Sequence, residues 1–469
     1  MNQQKDHADS TSIFSDHPVR NEERRKVIGT VGRTIAALAA ATAVDLPANA
    51  GASPLGGHHV AVEPPVVLRK QRLDTLAQQF YGVFNEGGIL PAYSPGDHAA
   101  RYDVELRRIT TFTRIPETGE RVKVSGLLAT PSGLRGPLPV VSWQHGTILS
   151  FDQVPSNLMR LADTGYTLQD NVDSLETLFN LHRLAAQGYA VIAADYLGKG
   201  PYRDGRGEAY AVRAASVQCC HDVLDTGMSM LKALGIRASA LLLNGWSQGA
   251  INTQWLGLAL HRRGIRVDAA AAQSPFNNLP DSLRYWCGNL KFAPSDAKPY
   301  PALPAWLTPC LVVLLGSYRT YYKLPDLFDT AIRPQHRAFA EAYWRDYTLD
   351  AQMQRAMPPA SEFLVEGFFE RFTAQSNTSM LAHLSQNTTT YTRFDFPITF
   401  YYGSADEAVP PQLVQMAVAG GGPRIQGVQV QGASHRATFL SSLYGGGDAM
   451  GHAKTVPEWF DSVRGSRRA

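Results

Sequence analysis

A serine between two glycines carries the strongest chemical signal in this chain. The run GWSQG at residues 245–249 follows an apolar stretch, residues 241–243, and precedes a segment with helical periodicity. A serine on such a strand-to-helix turn takes a strained backbone conformation, so the residues two before and two after it must be small, as Gly245 and Gly249 are. This context predicts that Ser247 is an exposed nucleophile on a nucleophile elbow.

An acidic residue is expected downstream of that serine. A serine hydroxyl becomes strongly nucleophilic only when a positioned base takes its proton, and a carboxylate must orient the base. In strand-turn-helix sites of this type the acid follows the serine along the chain. Asp406 is the candidate because it follows the apolar run 398–402, and the adjacent Glu407 is its competitor.

The base is expected after the acid, and two histidines lie there. His435 follows a strand-like run, residues 427–430, and His452 lies in a glycine-rich stretch near the C-terminal end. The spacing from Asp406 to His435 leaves room for one helix and one strand, whereas His452 is expected at the solvated surface. The order Ser247, Asp406, His435 therefore predicts acyl transfer through a covalent acyl-enzyme.

A third requirement is an oxyanion hole, a pair of fixed N–H donors for the negative charge that develops during acyl transfer. The apolar run 139–143 ends in Gln-His-Gly-Thr, where a glycine lets the backbone turn and present its amides. We nominate the N–H group of Gly146 or Thr147 together with that of Gln248. His145 is expected to hold the shape of this loop by hydrogen bonding.

The elements that must position these residues alternate along the chain in the manner of an α/β fold. An antiparallel pair is predicted first, at residues 102–115 and 121–130. Short apolar runs then indicate parallel strands covered on both faces, at residues 139–143, 189–195, 240–244, 267–273, 398–402 and 427–430. Helical periodicity separates them, at residues 174–187, 208–234 and 250–263.

This rhythm is interrupted after Pro275. Residues 276–393 are dense in proline and aromatic residues and contain helical stretches at 336–347 and 360–373. Because the strand pattern resumes at residue 398, the block is predicted to be a helical cap inserted at the carboxyl edge of the sheet, where ligands of open α/β sheets bind. Cys287 and Cys310 lie within it, and an oxidising compartment would allow them to pair.

Composition excludes several classes of function. The chain has 469 residues, and its 44 basic and 41 acidic residues are interspersed, so no basic stripe favours nucleic acid. The other two cysteines, Cys219 and Cys220, are expected to be packed thiols, and the four cysteines show no zinc spacing. Neither a metal nor an organic cofactor is implied.

The amino-terminal region has the parts of an export signal. A basic segment, residues 23–29, precedes a mild apolar run at 34–44 and the small-x-small end Ala48-Asn49-Ala50. The paired arginines resemble a twin-arginine signal, with cleavage after Ala50. A plain N-terminal extension is the alternative. The apolar run is shorter than the roughly 20 residues of a membrane span, so a secreted or periplasmic protein without a transmembrane anchor is predicted.

The ordered set of motifs carries a family resemblance. The runs WQHGT at 143–147, DYLGKG at 195–200, GWSQG at 245–249, GSAD at 403–406 and GASH at 432–435 resemble the secretory lipases of the lipase A type, within the α/β-hydrolase superfamily. They are also similar to secreted cell-wall esterases of plant-associated bacteria. The resemblance implies the same triad, Gln248 as one oxyanion amide and the loop after residue 146 as the second element, where Thr147 could act through its hydroxyl.

The expected activity is hydrolysis of a small-molecule or lipid-like carboxylic ester by a carboxylesterase or lipase. A peptidase or amidase of the same fold and an inactive hydrolase-fold binding protein are the alternatives. The α/β-hydrolase fold is predicted to have a mostly parallel central sheet flanked by helices, with the cap between the nucleophile strand and the acid strand. The expected layout is a signal and leader at 1–50, an extension at 51–100, core at 101–275, cap at 276–393 and core at 394–469.

Overall fold

The computed structural model of this chain describes residues 55–56, 62–169, 172–292, 302–373 and 378–465. The export signal predicted over residues 1–50 lies outside these residues. Residues 51–469 cluster as one compact unit, to which the block between residues 276 and 393 also belongs.

A single mixed sheet organises the described residues. Its strands are β1 Val66–Leu68, β2 Val104–Arg114, β3 Arg121–Pro131, β4 Gly136–Gln144, β5 Ala190–Ala194, β6 Ile236–Trp246, β7 Ala269–Gln273, β8 Ile398–Gly403 and β9 Ile425–Val430. Their spatial order is β1-β2-β3-β5-β4-β6-β7-β8-β9. The pairs β5–β4, β4–β6, β6–β7, β7–β8 and β8–β9 are parallel, whereas β1–β2, β2–β3 and β3–β5 are antiparallel. The predicted mostly parallel sheet with an antiparallel opening pair is confirmed.

Helices flank this sheet or lie in the segment between β7 and β8. They are α1 Lys70–Phe84, α2 Pro95–His98, α3 Leu175–Arg183, α4 Arg213–Ala233, α5 Gln248–Arg262, α6 Leu279–Trp286, α7 Leu307–Tyr321, α8 Leu327–Ala331, α9 Pro334–Asp346, α10 Ala351–Ala356, α11 Phe368–Thr373, α12 Thr378–Asn387, α13 Pro411–Gly420, α14 His435–Tyr444 and α15 Val456–Gly465. Within the described residues, none of the helices combines the length and apolarity that a membrane crossing needs.

The nucleophile strand shows why the central strands lack polar alternation. In β6, Leu241 and Leu243 pack into the hydrophobic cluster on one face of the sheet, and Leu242 packs into the cluster on the other face. Successive side chains of a strand point to opposite faces, so a strand covered on both faces must be apolar throughout. The two clusters together hold β6 rigidly behind Ser247.

The N-terminal part of the core begins earlier than the expected boundary at residue 101. Strand β1 pairs with β2, and α1 buries Leu73, Leu76, Ala77 and Phe80 in the cluster on one face of the sheet. These positions recur at helical spacing, which places them on one side of the helix. Because the apolar side of α1 must be covered, this helix packs on the sheet and belongs to the core together with β1.

The block between β7 and β8 is helical in its described residues and contains α6 to α12. The stretch expected as one helix at 360–373 is instead a 3-10 turn, Ala360–Glu362, followed by α11. Gly367, which has a φ of +69°, lies just before α11, and a backbone in this left-handed region interrupts a helix. We refer below to residues 274–397 as the insertion.

All four cysteines are buried free thiols. Cys219 and Cys220 are packed in α4 as expected. Cys287 and Cys310 are not bridged in this structure, and the Cys310 Sγ instead lies 3.3 Å from the carbonyl oxygen of Trp306. Burial raises the pKa of both insertion thiols far above the ordinary value.

Candidate active site

Ser247 occupies the turn between β6 and α5 in a strained conformation, with φ 57° and ψ −117°. Its backbone N–H donates to the carbonyl oxygen of Gln273 at the end of β7, 2.8 Å away. A Cβ on Gly249 would lie 1.9 Å from the carbonyl oxygen of Gln144, and one on Gly245 would lie 2.2 Å from that of Gly249. The two glycines are therefore required by backbone contacts of the turn.

Asp406 and His435 come together on the loops that follow β8 and β9. The His435 Nδ1 lies 3.0 Å from each carboxylate oxygen of Asp406. The carboxylate also accepts hydrogen bonds from the Ser274 hydroxyl at 2.6 Å and from the N–H groups of Ala408 and Val409. Because Asp406 is fully buried and held by several donors, it fixes the orientation of the imidazole.

The electrostatics of His435 favour a protonated ring. Burial alone would lower the pKa of this imidazole, but the charge and hydrogen bond of Asp406, with the charges of Glu407 and Glu86, outweigh it. The pKa of His435 is therefore raised above its ordinary value of 6.5. Its ring also contacts two indoles, with centroid distances of 4.9 Å to Trp246 and 6.0 Å to Trp306.

Of the two competing residues, Glu407 contacts the backbone of His435, and His452 does not line the cavity. Glu407 Oε2 accepts from the backbone N–H of His435 at 3.0 Å. Burial and the neighbouring Asp406 raise the pKa of Glu407. His452 is exposed in a turn between α14 and α15. The carboxylate beside the imidazole nitrogen is thus that of Asp406.

The loop after β4 lies against the nucleophile turn. A Cβ on Gly146 would lie 2.8 Å from the ring of Trp246, so a glycine allows this close approach. The Thr147 hydroxyl is 2.9 Å from the Tyr210 hydroxyl. Gln248 is the first residue of α5, and the first N–H groups of a helix have no acceptor within it, so its amide points out of the helix start beside Ser247.

His145 has a structural place in this loop. Its Nδ1 lies 2.8 Å from the Gly146 carbonyl oxygen, and its ring stacks on Tyr196 at a centroid distance of 4.1 Å. Burial, reinforced by the charge of Lys199, holds the pKa of His145 well below 6.5. A neutral, fully buried imidazole fits the expected role of shaping the loop.

A cavity of about 400 Å³ opens onto Ser247 and His435. Its wall combines sheet-edge residues with residues of the insertion. The insertion contributes Trp306, Cys310, Leu349, Gln354 and Met357.

Sequence reasoning missed two acidic residues of the cavity wall, Glu86 and Glu176. Glu176, in the first turn of α3, lines the cavity, and burial raises its pKa to about 7. Glu86 lines it too and accepts from the Ser434 hydroxyl at 2.7 Å. Neither residue lies in a motif or near one, so no spacing in the sequence could have indicated them. Across the described residues, no group of three or more His, Cys, Asp or Glu side chains is placed to hold a metal ion.

Solved structures resemble this fold along most of its length, whereas the sequence matches no family model and no curated protein. A rice cell wall degrading esterase, LipA from Xanthomonas oryzae, is 20% identical with a TM-score of 0.63, covering 83% of this chain and 96% of that one. A candidate hydrolase from Legionella pneumophila is 17% identical with a TM-score of 0.67, covering 86% and 97%.

Candida antarctica lipase A is 16% identical with a TM-score of 0.53, and the match covers 71% of this chain and 73% of the lipase. At these identities the similarity establishes the fold. The chain has an α/β-hydrolase fold and resembles esterases of the lipase A type, as the ordered motifs predicted.

Proposed function

We propose that this protein is a carboxylic ester hydrolase in which Ser247, His435 and Asp406 form the catalytic triad. One observation carries the proposal. A serine in a strained strand-to-helix turn shares a cavity with a histidine whose far ring nitrogen is held by a buried carboxylate. Such a constellation activates a hydroxyl for acyl transfer.

The reaction proceeds in two halves. In the first, Ser247 Oγ attacks the ester carbonyl while His435 Nε2 accepts its proton, and the C–O bond to the alcohol breaks as the imidazolium returns that proton to the alcohol. In the second half, water adds to the acyl-enzyme, with His435 again as base, and the acid leaves. Asp406 keeps the Nδ1–H of His435 in place and stabilises the imidazolium throughout.

The developing oxyanion is assigned to the amide of Gln248 and to the loop of Gly146 and Thr147. Two features support this assignment: the amide of Gln248 begins a helix, and the loop approaches the turn so closely that Gly146 needs to be glycine. Fixed donors need no reorganisation as charge develops, which makes them effective. Thr147 can contribute through its amide or its hydroxyl.

The substrate class follows from the cavity and from the similar structures. Two of these are described as an esterase and a lipase, which favours esters over amides. The cavity holds a small-molecule or lipid-like ester, and the insertion acts as its cap, since apolar and aromatic residues of the insertion complete the wall.

Export is the second part of the proposal. The basic segment, the apolar run and Ala48-Asn49-Ala50 form a signal that sends the enzyme to the periplasm or the medium. Full-length protein expressed in a bacterium with the twin-arginine pathway is expected to appear outside the cytoplasm with Gly51 as its first residue. Replacing Arg24 and Arg25 by lysine should retain it inside, and equal export of this variant would contradict the route.

Labelling by a fluorophosphonate tests the nucleophile. One equivalent should attach to the wild type and none to Ser247→Ala. Ser282→Ala is the matched control, because Ser282 is a buried serine of α6 outside the cavity, and it should label fully.

Substrate preference tests the reaction class. The wild type should hydrolyse p-nitrophenyl butyrate with a higher kcat/KM than the matched p-nitroanilide. Preference for the anilide would reject the ester class. In the labelling experiment, attachment of the fluorophosphonate to Ser247→Ala would reject the assigned nucleophile.

A further inference from the structure

Residues 207–211, which we call the strap, lie between the DYLGKG motif and helix α4. The sequence pattern predicted a helix from residue 208, but α4 begins only at Arg213. The strap is non-helical, Ala211 has a positive φ of 53°, and Glu208, Ala209 and Tyr210 are each at most 3% exposed. A buried irregular segment next to a catalytic turn must have its polar groups satisfied by neighbours.

The strap reaches both halves of the proposed oxyanion hole. On one side, the Tyr210 hydroxyl lies 2.9 Å from the Thr147 hydroxyl. On the other side, Glu208 Oε1 accepts a hydrogen bond from the side-chain amide of Gln248. Two residues of one short segment therefore contact the two sides of the proposed oxyanion hole, Thr147 and Gln248.

Glu208 is itself fixed by a buried charge. Lys199 Nζ lies 2.8 Å from Glu208 Oε1, and the two side chains are 0% and 1% exposed. Lys199 also lies 3.5 Å from Gln248 Oε1. Ion pairs and charge-assisted hydrogen bonds in a dry interior have strict geometry, so the pair locks the Gln248 side chain in one orientation.

The insertion clamps the strap from the other side with hydroxyl groups of α7. Ser317 Oγ donates to the Glu208 carbonyl oxygen at 2.7 Å and accepts from the Tyr210 N–H at 2.9 Å. Tyr321 donates to the Gly207 carbonyl oxygen at 2.8 Å. From the segment after α9, the Tyr347 hydroxyl donates to Glu208 Oε2.

We propose that the strap is the element that positions the oxyanion hole, with Glu208 and Tyr210 as positioning residues for Gln248 and Thr147. Through it the insertion controls the turnover rate of the enzyme in addition to covering the substrate. The inference rests on the proposed ester hydrolysis. Its consequence is a separation of effects: loosening the strap weakens transition-state binding, while ground-state binding in the cavity is unchanged.

Two variants loosen the strap in different ways. Tyr210→Phe removes only the hydroxyl that faces Thr147. The double variant Lys199→Met/Glu208→Gln removes both buried charges together, because removing one alone would leave the other buried and unpaired. Tyr401→Phe is the matched control: it removes one buried tyrosine hydroxyl, which donates to the Lys454 carbonyl oxygen at 2.9 Å, and Tyr401 does not line the cavity.

For each variant we expect a fall in kcat of about 10-fold with KM within about 2-fold of the wild type, since loss of a whole oxyanion donor costs about 100-fold or more. The inhibition constant of phenylboronic acid should rise in parallel with the loss of kcat. This compound bonds through boron to Ser247 Oγ and places an oxygen in the oxyanion hole. Tyr401→Phe should leave both quantities unchanged.

Thermal unfolding separates positioning from stability. Equal melting temperatures for Tyr210→Phe and Tyr401→Phe, with a loss of kcat in the first alone, support the strap. An unchanged kcat and boronate affinity in both strap variants would overturn it while leaving ester hydrolysis intact. An inactive wild type that fails to label with fluorophosphonate would instead overturn the proposed function.

Discussion

The sheet edge and the insertion reach the candidate site by different physical means. At the sheet edge, main-chain atoms approach so closely that a Cβ cannot fit: on Gly403 it would lie 2.2 Å from the Ala433 carbonyl oxygen, and on Gly249 it would lie 1.9 Å from that of Gln144. The insertion contacts the site through side chains, such as the indole of Trp306 and the hydroxyl of Ser317. At the sheet edge, close backbone packing positions the candidate catalytic residues. In the insertion, side chains form part of the cavity wall and contact the strap.

The largest effect is expected from the acid at the sheet edge. Asp406→Asn should lower kcat for p-nitrophenyl butyrate by about 10⁴-fold, because an amide no longer stabilises the imidazolium and favours the wrong tautomer. Glu407→Gln should lower kcat less than about 10-fold, since Glu407 contacts the backbone of His435. The reverse order of these two losses would show that the acid was misassigned.

The second contrast is one of stability. Gly249→Ala should lower the free energy of unfolding by about 3 kcal/mol or more, because the new methyl meets immobile backbone. In α7, the corresponding methyl of Gly316→Ala would lie 2.3 Å from the ring of Trp344. A side chain can shift, so we expect about 1–3 kcal/mol there.

Urea denaturation of the two glycine variants provides the measurement, and kcat of the folded fraction should fall in Gly249→Ala alone. Equal losses of stability and activity in both would remove the distinction between a backbone-determined edge and a side-chain-determined insertion.

A smaller effect is expected in the cavity wall of the insertion. Met357→Ala removes an apolar side chain from that wall, so kcat/KM for p-nitrophenyl octanoate should fall by up to about 10-fold, the value of a few methylene contacts. The acetate ester should be hydrolysed within about 2-fold of the wild-type rate. The control is Met416→Ala, a change at an exposed methionine of α13. An equal loss for the octanoate and acetate esters in Met357→Ala would argue against a role of Met357 in substrate selection.

The smallest effect concerns pH. The proposed mechanism needs neutral His435, whose raised pKa means that the imidazolium persists above pH 6.5. The acidic limb of kcat/KM, which reports the free enzyme, should therefore have its midpoint above 6.5. Glu407→Gln removes a negative charge that stabilises the imidazolium, so the midpoint should move to lower pH. A shift to higher pH would contradict this electrostatic account.

This contrast also explains what could be predicted from the sequence. The strands follow from apolar runs, and the candidate residues Ser247, Asp406 and His435 follow from their places after those runs. For Ser247 the two glycines required by close backbone contacts add a further signal. The helix expected from residue 208 was wrong over its first turn, because side chains of a distant helix, among them Ser317 and Tyr321, compete for the backbone groups of the strap. Periodicity carries no information about such partners. The same limit applies to Glu176, which reaches the cavity through the tertiary fold alone.

The two indole rings beside His435 give the molecule a built-in optical reporter. A protonated imidazole quenches the fluorescence of a neighbouring indole, so the emission of Trp246 and Trp306 depends on the charge of the ring they contact. The proton on His435 can thus be followed in the resting protein, with no substrate added. We expect an acyl group or inhibitor in the cavity to change the emission of these two indoles, so that occupancy can be followed by fluorescence.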